Sequence, residues 1–421
     1  MTTAVNSFND YHPLRENRFT DSARVLAALE KIAASGVAPD LLTGLWTSLH
    51  DHLGLVDDPD GAVQLLERFV DVSRSPTSLL ALFDRDPQAL PALLQVLSTS
   101  PAVAELLISD PESFDLIRAS DGRPTSREQL RDELAHELRT TASIPRAAVA
   151  IRRYVGREVL RIAYGEFVRG LAPDRVARQI SHLTDAVLAT ALDFTIDQVA
   201  SQFNYPQRID ASEPKYAIIA LGNYGGEEIG YDSPLDLLLL CDQIDRRNES
   251  HLKFNRHIVA GLLGLLGSNR GPVVSIHIRF VQQPGEDFAT ADTQRLSDFI
   301  RAGESASRQV DFHAASDAAA YYERENQTFQ RLAFVKGRVA AGDRGLGDWF
   351  LKQMEPWVYH RLLSRSEIAD IRVLRRKLEK RALSVDTQRG TPIADCPGGR
   401  RDIELTIQFL QLMHGGELPE V

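Results

Sequence analysis

From about Asp21 to Thr99 apolar residues recur every three or four positions, as at Val25, Leu29 and Ile32 and again at Leu79, Leu82 and Phe83. That period lines them along one face of each of a succession of helices, punctuated by Pro and Asp. Ser100-Pro101 opens a further short helix. A proline at the first helical position gives up only a donor that would have no partner there, and Val103, Leu106 and Leu107 supply the buried stripe. The helical period continues from Ser126 to about Gln202, with a break at Ile144-Pro145. After Asn204-Tyr205-Pro206 the texture changes. Tyr216 to Leu221 is a short apolar run, and Leu235 to Cys241 is another, interrupted only by Asp236. Both fit buried strands by length and flanks. Val273 to Val281 alternates more loosely and is a third candidate, after a helix over Leu252 to Leu266 closed by Gly267. From about Thr293 helices return: Tyr321 to Ala341, Leu346 to Leu363, Ile368 to Leu383, and a last one starting near Asp402 and ending at Gly415-Gly416. The pattern predicts a mostly helical α+β chain. A small sheet domain over 146–290 stands between a helical region over 1–145 and another over 291–421.

At 421 residues the chain is long enough for two or more packed domains. Its 48 Lys and Arg against 58 Asp and Glu leave a net charge of -10, which repels a phosphate backbone and argues against general nucleic-acid binding. The two cysteines, Cys241 and Cys396, lie far apart, outside any zinc-type spacing, and fit a reducing cytoplasm. The first residues carry no basic stretch followed by an apolar one. The longest apolar runs, around Leu237 to Cys241 and Leu262 to Leu266, fall far short of the ~20 residues that span a bilayer. Secretion and membrane insertion are disfavoured.

The one dense motif runs from Gly222 to Leu237, GNYGGEEIGYDSPLDL. A strand leading into glycines lets backbone N–H groups approach phosphate oxygens, and a following acidic strand can hold Mg²⁺ against them. Residues 232, 234 and 236 share one face if the strand begins early enough. The plainer alternative is a glycine-rich turn before a buried strand that carries one stray carboxylate.

This stretch resembles the glycine signature of the glutamine synthetase adenylyltransferase family, G-K-L-G-G-x-E-L-x-Y-x-S-D-x-D-L, with Gly222, Gly225, Gly226, Glu228, Tyr231, Ser233, Asp236 and Leu237 on matching positions. Leu160-Arg161-Ile162-Ala163 is similar to the family's L-R-I-A, and the run from Arg331 to Asp343 to its R-x-A-L-I-K-A-R-x-V-A-G-D. Gly398 to Glu404, followed by Gln408 and Gln411, is similar to G-G-I-R-D-I-E-F with its trailing glutamines. The resemblance implies a nucleotidyltransferase-like sheet and a part in nitrogen metabolism, with AMP added to a tyrosine of glutamine synthetase or removed from it by phosphorolysis. It also implies ATP or ADP as ligand, Mg²⁺ as cofactor, and glutamine synthetase and the PII signalling protein as partners. Family members carry two such modules. The long helical lead-in resembles the N-terminal, adenylyl-removing half, and the chain is expected to be a fragment of a longer protein.

Carried over residue by residue, the resemblance puts Asp236 and Glu228 in catalytic roles, and Asp232, two residues before Pro234, is the one obvious replacement for the lost carboxylate if the loop bends. Gly222, Gly225, Gly226, Ser233, Arg279, Lys336 and Arg338 fall to nucleotide phosphates, with Lys336 and Arg338 reaching the site from a helix. The family's paired carboxylates fall on positions 234 and 236, where Pro234 replaces the first, and a third falls on His277. Mg²⁺ needs hard oxygen ligands, which Pro234 cannot supply and an imidazole supplies poorly. Asp236, Asp232 and His277 are the remaining metal candidates, and Asp242 is a strand-end residue. Each has a plainer alternative: Glu228 as a first-turn helix acid, His277 as a half-buried strand residue, Lys336 and Arg338 as surface cations, Asp402 and Glu404 as helix N-terminal acids. Two functions stay open, an active nucleotidyltransferase and an inactive relative that binds glutamine synthetase, PII or a nucleotide.

Overall fold

The computed structural model describes residues 19–202, 214–231, 233, 235–244, 247–267, 278–280, 312–325, 328–359, 364–383 and 396–416. It forms two compact units, one of residues 1–125, 152–180 and 270–275, the other of 126–151, 181–269 and 276–421.

The first unit is helical among its described residues. It contains α1 (Ser22–Ala34), α2 (Pro39–His52), α3 (Pro59–Val72), α4 (Pro76–Arg85), α5 (Ala89–Thr99), α6 (Pro101–Ser109) and α7 (Ser113–Ser120). Side-chain oxygens of Asp21, Asp58, Ser75 and Ser100 cap α1, α3, α4 and α6, and α6 begins at Pro101 as its sequence requires. Chain then runs through α8 (Arg127–Leu138), α9 (Ile144–Phe167) and α10 (Pro173–Gln202). Pro145 falls in the first turn of α9, where it is tolerated, so the predicted break stands. A second break, between Phe167 and Pro173, was not predicted. Gly170 turns there at φ 68°, and Pro173 cannot extend a preceding helix but suits the start of a new one.

The second unit is built round a five-stranded mixed sheet: β1 (Tyr216–Leu221), β2 (Leu235–Cys241), β3 (Ile278–Phe280), β4 (His313–Ala314) and β5 (Arg338–Gly342). The order is β3-β2-β1-β5, with β4 also on β2. β1 pairs antiparallel with β2 and β5, while β3 and β4 run parallel to β2. β1 is buried along its whole length, which its unbroken apolar run anticipates. Ala217, Ile219 and Leu221 share one face with Leu238 and Leu240 of β2 and pack on helices from the C-terminal part of the chain. A short helical turn, α11 (Gly222–Gly225), follows β1, and α12 (Glu249–Gly267) follows β2. Then come α13 (Ala315–Glu325), α14 (Thr328–Phe334), α15 (Arg344–Val358), α16 (Arg365–Leu383) and α17 (Arg400–His414). Tyr322, Phe334, Phe350, Met354, Trp357 and Leu412 fill the core beneath the sheet.

The expectation of one helix from Tyr321 to Ala341 is overturned. α14 stops at Phe334, the chain turns at Gly337, and Arg338–Gly342 becomes a strand that edges the sheet. The apolar run of the strand is only Val339 to Ala341, too short a window to outweigh the helical residues before it. Arg331, at the head of that motif, is fully buried. It donates to the Val358 carbonyl at 2.8 and 3.1 Å and pairs with Glu367, so it staples α14, the end of α15 and α16.

Candidate functional site

The glycine turn sits where β1 hands over to α11. Gly222 lies at φ 55°, a conformation that an L side chain adopts only with strain, and a Cβ there would stand 3.2 Å from Asp236 Oδ2. Register explains the approach: Leu221 faces Asp236 across the β1–β2 ladder, and Asp236 faces Arg279 across β2–β3. Asp236 is half-buried and turned toward the glycine turn.

Gly225 and Gly226 have another use. A Cβ on Gly225 would lie 2.1 Å from the Lys336 carbonyl oxygen, and one on Gly226 would meet the Lys336 side chain at 2.6 Å. The missing side chains let the turn leading into β5 press against α11. Lys336 belongs to that turn, and its Nζ donates to both Glu228 oxygens at 2.7 Å. Glu228 therefore follows the helical turn α11 and does not open a helix, and Lys336 and Arg338 reach the region from a turn and a strand, in correction of the helix expected there. Ser233 accepts from the Gly230 N–H at 2.9 Å and shapes the next turn, and Asp242 accepts from the Lys215 N–H at the end of β2. Asn223 donates to Glu404 on α17 at 3.2 Å, which brings the C-terminal motif to the glycine turn. Asp402, on the first turn of α17, accepts from Gly398 N–H at 2.8 Å and from Arg375 at 2.7 Å. The Gly398 N–H foremost, with Arg375 behind it, holds that carboxyl below its usual range. Asp232 and His277 lie outside the described residues, as does the side chain of Arg279.

Behind the turn is an ionic cluster that the sequence reading missed. Asp185 on α10 is 1% exposed and accepts a fork of two bonds from Arg338, at 2.8 and 3.0 Å. It also accepts from the Tyr224 hydroxyl at 2.5 Å and lies 2.8 Å from Arg127 Nε. Arg338 reaches further, donating to the Gly225 and Tyr224 carbonyls at 3.1 and 3.3 Å while its guanidinium stacks over the Tyr224 ring. Arg127 also pairs with Glu227, and His182 Nε2 lies 3.8 Å from the same carboxylate. Burial pushes the Asp185 carboxyl up while Arg338 and Tyr224 pull it back. Burial first, then Asp185, drives the Tyr224 hydroxyl well up, and burial lowers the His182 imidazole. Ser181, Asp185, Leu188 and Leu192 share the buried helical stripe, and an acid in such a stripe is the signal that would have found it.

Mg²⁺ takes one or two carboxylates plus water and phosphate oxygens. Glu228 is committed to Lys336, Glu227 to Arg127 and Asp185 to Arg338. Among the described residues no group of three or more His, Cys, Asp or Glu is placed to hold an ion. The described side chains do not fit a metal centre.

A small mixed sheet with a glycine turn set against an acid of the next strand, carried among helices, makes a mostly helical α+β module. The family model for glutamate-ammonia ligase adenylyltransferase matches residues 90–260. The bifunctional glutamine synthetase adenylyltransferase/adenylyl-removing enzyme of Corynebacterium glutamicum is 25% identical over 382 residues, covering 90% of this chain and 34% of the relative. The enzymes of the same name from Xanthobacter autotrophicus and Cutibacterium acnes are 27% and 28% identical over 81% and 83% of this chain, and 33% and 32% of their own lengths. The chain is similar to these enzymes, and it spans about a third of the length of the curated relatives it matches. Among the described residues no helix is long and apolar enough to cross a membrane.

Proposed function

We propose that this chain is a nucleotidyltransferase-family module that controls the adenylylation of glutamine synthetase, by transfer of AMP to a tyrosine of that enzyme or by its phosphorolytic removal. The observation that carries this is the meeting of three family motifs at one place: Gly222 against Asp236, Gly225 and Gly226 under Lys336, and Asn223 on Glu404. In this reading Asp236 faces the reacting phosphate, Arg279 stands beside it in the ladder, and ATP or ADP and PII are its ligand and effector. The decisive experiment incubates adenylylated glutamine synthetase with the chain, phosphate and Mg²⁺ and follows ADP release. Turnover abolished by Asp236→Asn supports the enzyme.

One observation favours a second reading, a module that binds without turnover. Lys336 neutralises Glu228, Arg127 pairs with Glu227, and among the described residues no group of three or more His, Cys, Asp or Glu is placed to hold an ion. Glutamine synthetase or nucleotide binding that is indifferent to Mg²⁺, with no ADP released, would establish that reading in place of the first.

A further inference from the structure

We propose that Arg127, His182 and Arg338 form an anion site behind the glycine turn that takes a phosphate or phosphoryl group, and that the Glu227 carboxylate fills this site in the present structure. One oxygen of Glu227 is met by three cationic or donor groups from three separate elements. Arg127 Nη2 of α8 bonds it, His182 Nε2 of α10 lies 3.8 Å away, and Arg338 Nε of β5 lies 3.9 Å away. A guanidinium donor beside an imidazole suits a phosphate, whose several oxygens can meet both, while Arg338, whose Nε donates to the Gly225 carbonyl, adds its charge from 3.9 Å.

Two further features make the occupant replaceable and the site permanent. Glu227 is held at φ 57°, one of two non-glycine residues with positive φ among the described residues. Such a conformation costs a side-chain-bearing residue on the order of 1–2 kcal/mol and persists because surrounding contacts impose it. The cations, in contrast, are anchored from behind: Asp185 grips both Arg338 and Arg127, so they keep their places when Glu227 leaves. With Glu227 gone, two guanidiniums face the single carboxylate of Asp185, which leaves one net positive charge for an incoming anion. Arg127, Glu227, His182 and Arg338 all keep some exposure to solvent, so an ion can reach them. His182 Nδ1, on the other side of that ring, is buried with no hydrogen-bond partner among the described residues, leaving Nε2 as the nitrogen aimed at the site.

This assignment stands apart from the glutamine synthetase reading, because it needs only inorganic phosphate for its test. Calorimetric titration of the full chain with phosphate, without metal, compares wild type, Glu227→Gln and the pair Glu227→Gln/Arg127→Gln. Removing the competing charge should tighten phosphate binding at least tenfold, and the second substitution should abolish that gain while circular dichroism remains that of a folded chain. A parallel titration with ADP assigns the source: competition between ADP and phosphate in Glu227→Gln identifies a nucleotide phosphate, and phosphate binding unaffected by ADP identifies the free ion. Phosphate affinity in Glu227→Gln equal to that of wild type, or a gain that survives in the double variant, overturns the proposal. If Glu227→Gln fails to fold, Glu227→Gly, which accepts the positive φ without strain, takes its place with the same expected outcomes.

Discussion

Arg338→Met removes the guanidinium that joins β5, the glycine turn and α10 while keeping most of the side-chain volume. Asp185 would lose two bonds, at 2.8 and 3.0 Å, and the Gly225 and Tyr224 carbonyls would lose their side-chain donor. Removing one partner of a buried ion pair costs about 3–5 kcal/mol, because the remaining charge stays out of water without compensation. Arg338 is 18% exposed and Arg127 stays beside Asp185, so the low end applies and the expected loss is about 3 kcal/mol. The pH dependence has a definite sign. Burial raises the Asp185 carboxyl above its ordinary value even with Arg338 present, and losing Arg338 raises it further. An acid whose folded pKa exceeds its unfolded one takes up protons on folding, so the destabilisation is smallest below the unfolded pKa and grows as pH rises toward the folded one. Urea unfolding of both proteins at acid and neutral pH, with the slope on denaturant checked for constancy, measures this. A penalty under about 1 kcal/mol at neutral pH, or one that grows on acidification, would refute the claim that Asp185 depends on Arg338.

Gly225→Ala should cost about 3 kcal/mol or prevent folding, since its methyl would stand 2.1 Å from a backbone oxygen that cannot turn aside; thermal unfolding tests this against Gly36→Ala, a glycine with open space around it but a positive φ. Glu228→Gln should change stability by less than about 1 kcal/mol despite two 2.7 Å bonds, because Glu228 is 49% exposed and solvent screens the pair; a drop of several kcal/mol would show that the pair is structural. Arg331→Met should lose about 3 kcal/mol in urea unfolding, as the Val358 carbonyl and Glu367 lose their donor inside the core, and a near-neutral result would refute the staple assigned to it.

Much of this architecture was legible from residue order alone. β1 and β2 fall at Tyr216–Leu221 and Leu235–Cys241 as their apolar runs require, and α12 closes at Gly267. Such segments declare themselves because local period and burial agree. Where they disagree, reading along the chain fails. Residues 338–342 follow a helix and contain alanines, yet pair with β1 from more than a hundred positions away, a long-range bond that no local period records. Asp185 lies on the buried stripe of a long helix, which marks an acid in need of a partner, but that partner, Arg338, stands some 150 residues later and no local pattern names it.

The glycine turn shows why motif residues and reacting residues need separate arguments. A glycine that lets a phosphate approach and a glycine that lets a neighbouring backbone approach obey the same steric requirement. At Gly225 the approaching group is the carbonyl of Lys336, so the space a ligand would use on that side is already filled by the protein. At Gly222 the nearest group to an added Cβ is the Asp236 carboxylate, 3.2 Å away. The same division runs through the cations: Arg338 bonds Asp185 and the turn carbonyls, and Lys336 bonds a carboxylate beside solvent. In the proposed function the reacting phosphate is therefore assigned to the Asp236 side of the turn, while on the other side Gly225 and Arg338 hold the turn in shape and Arg338 flanks the proposed anion site.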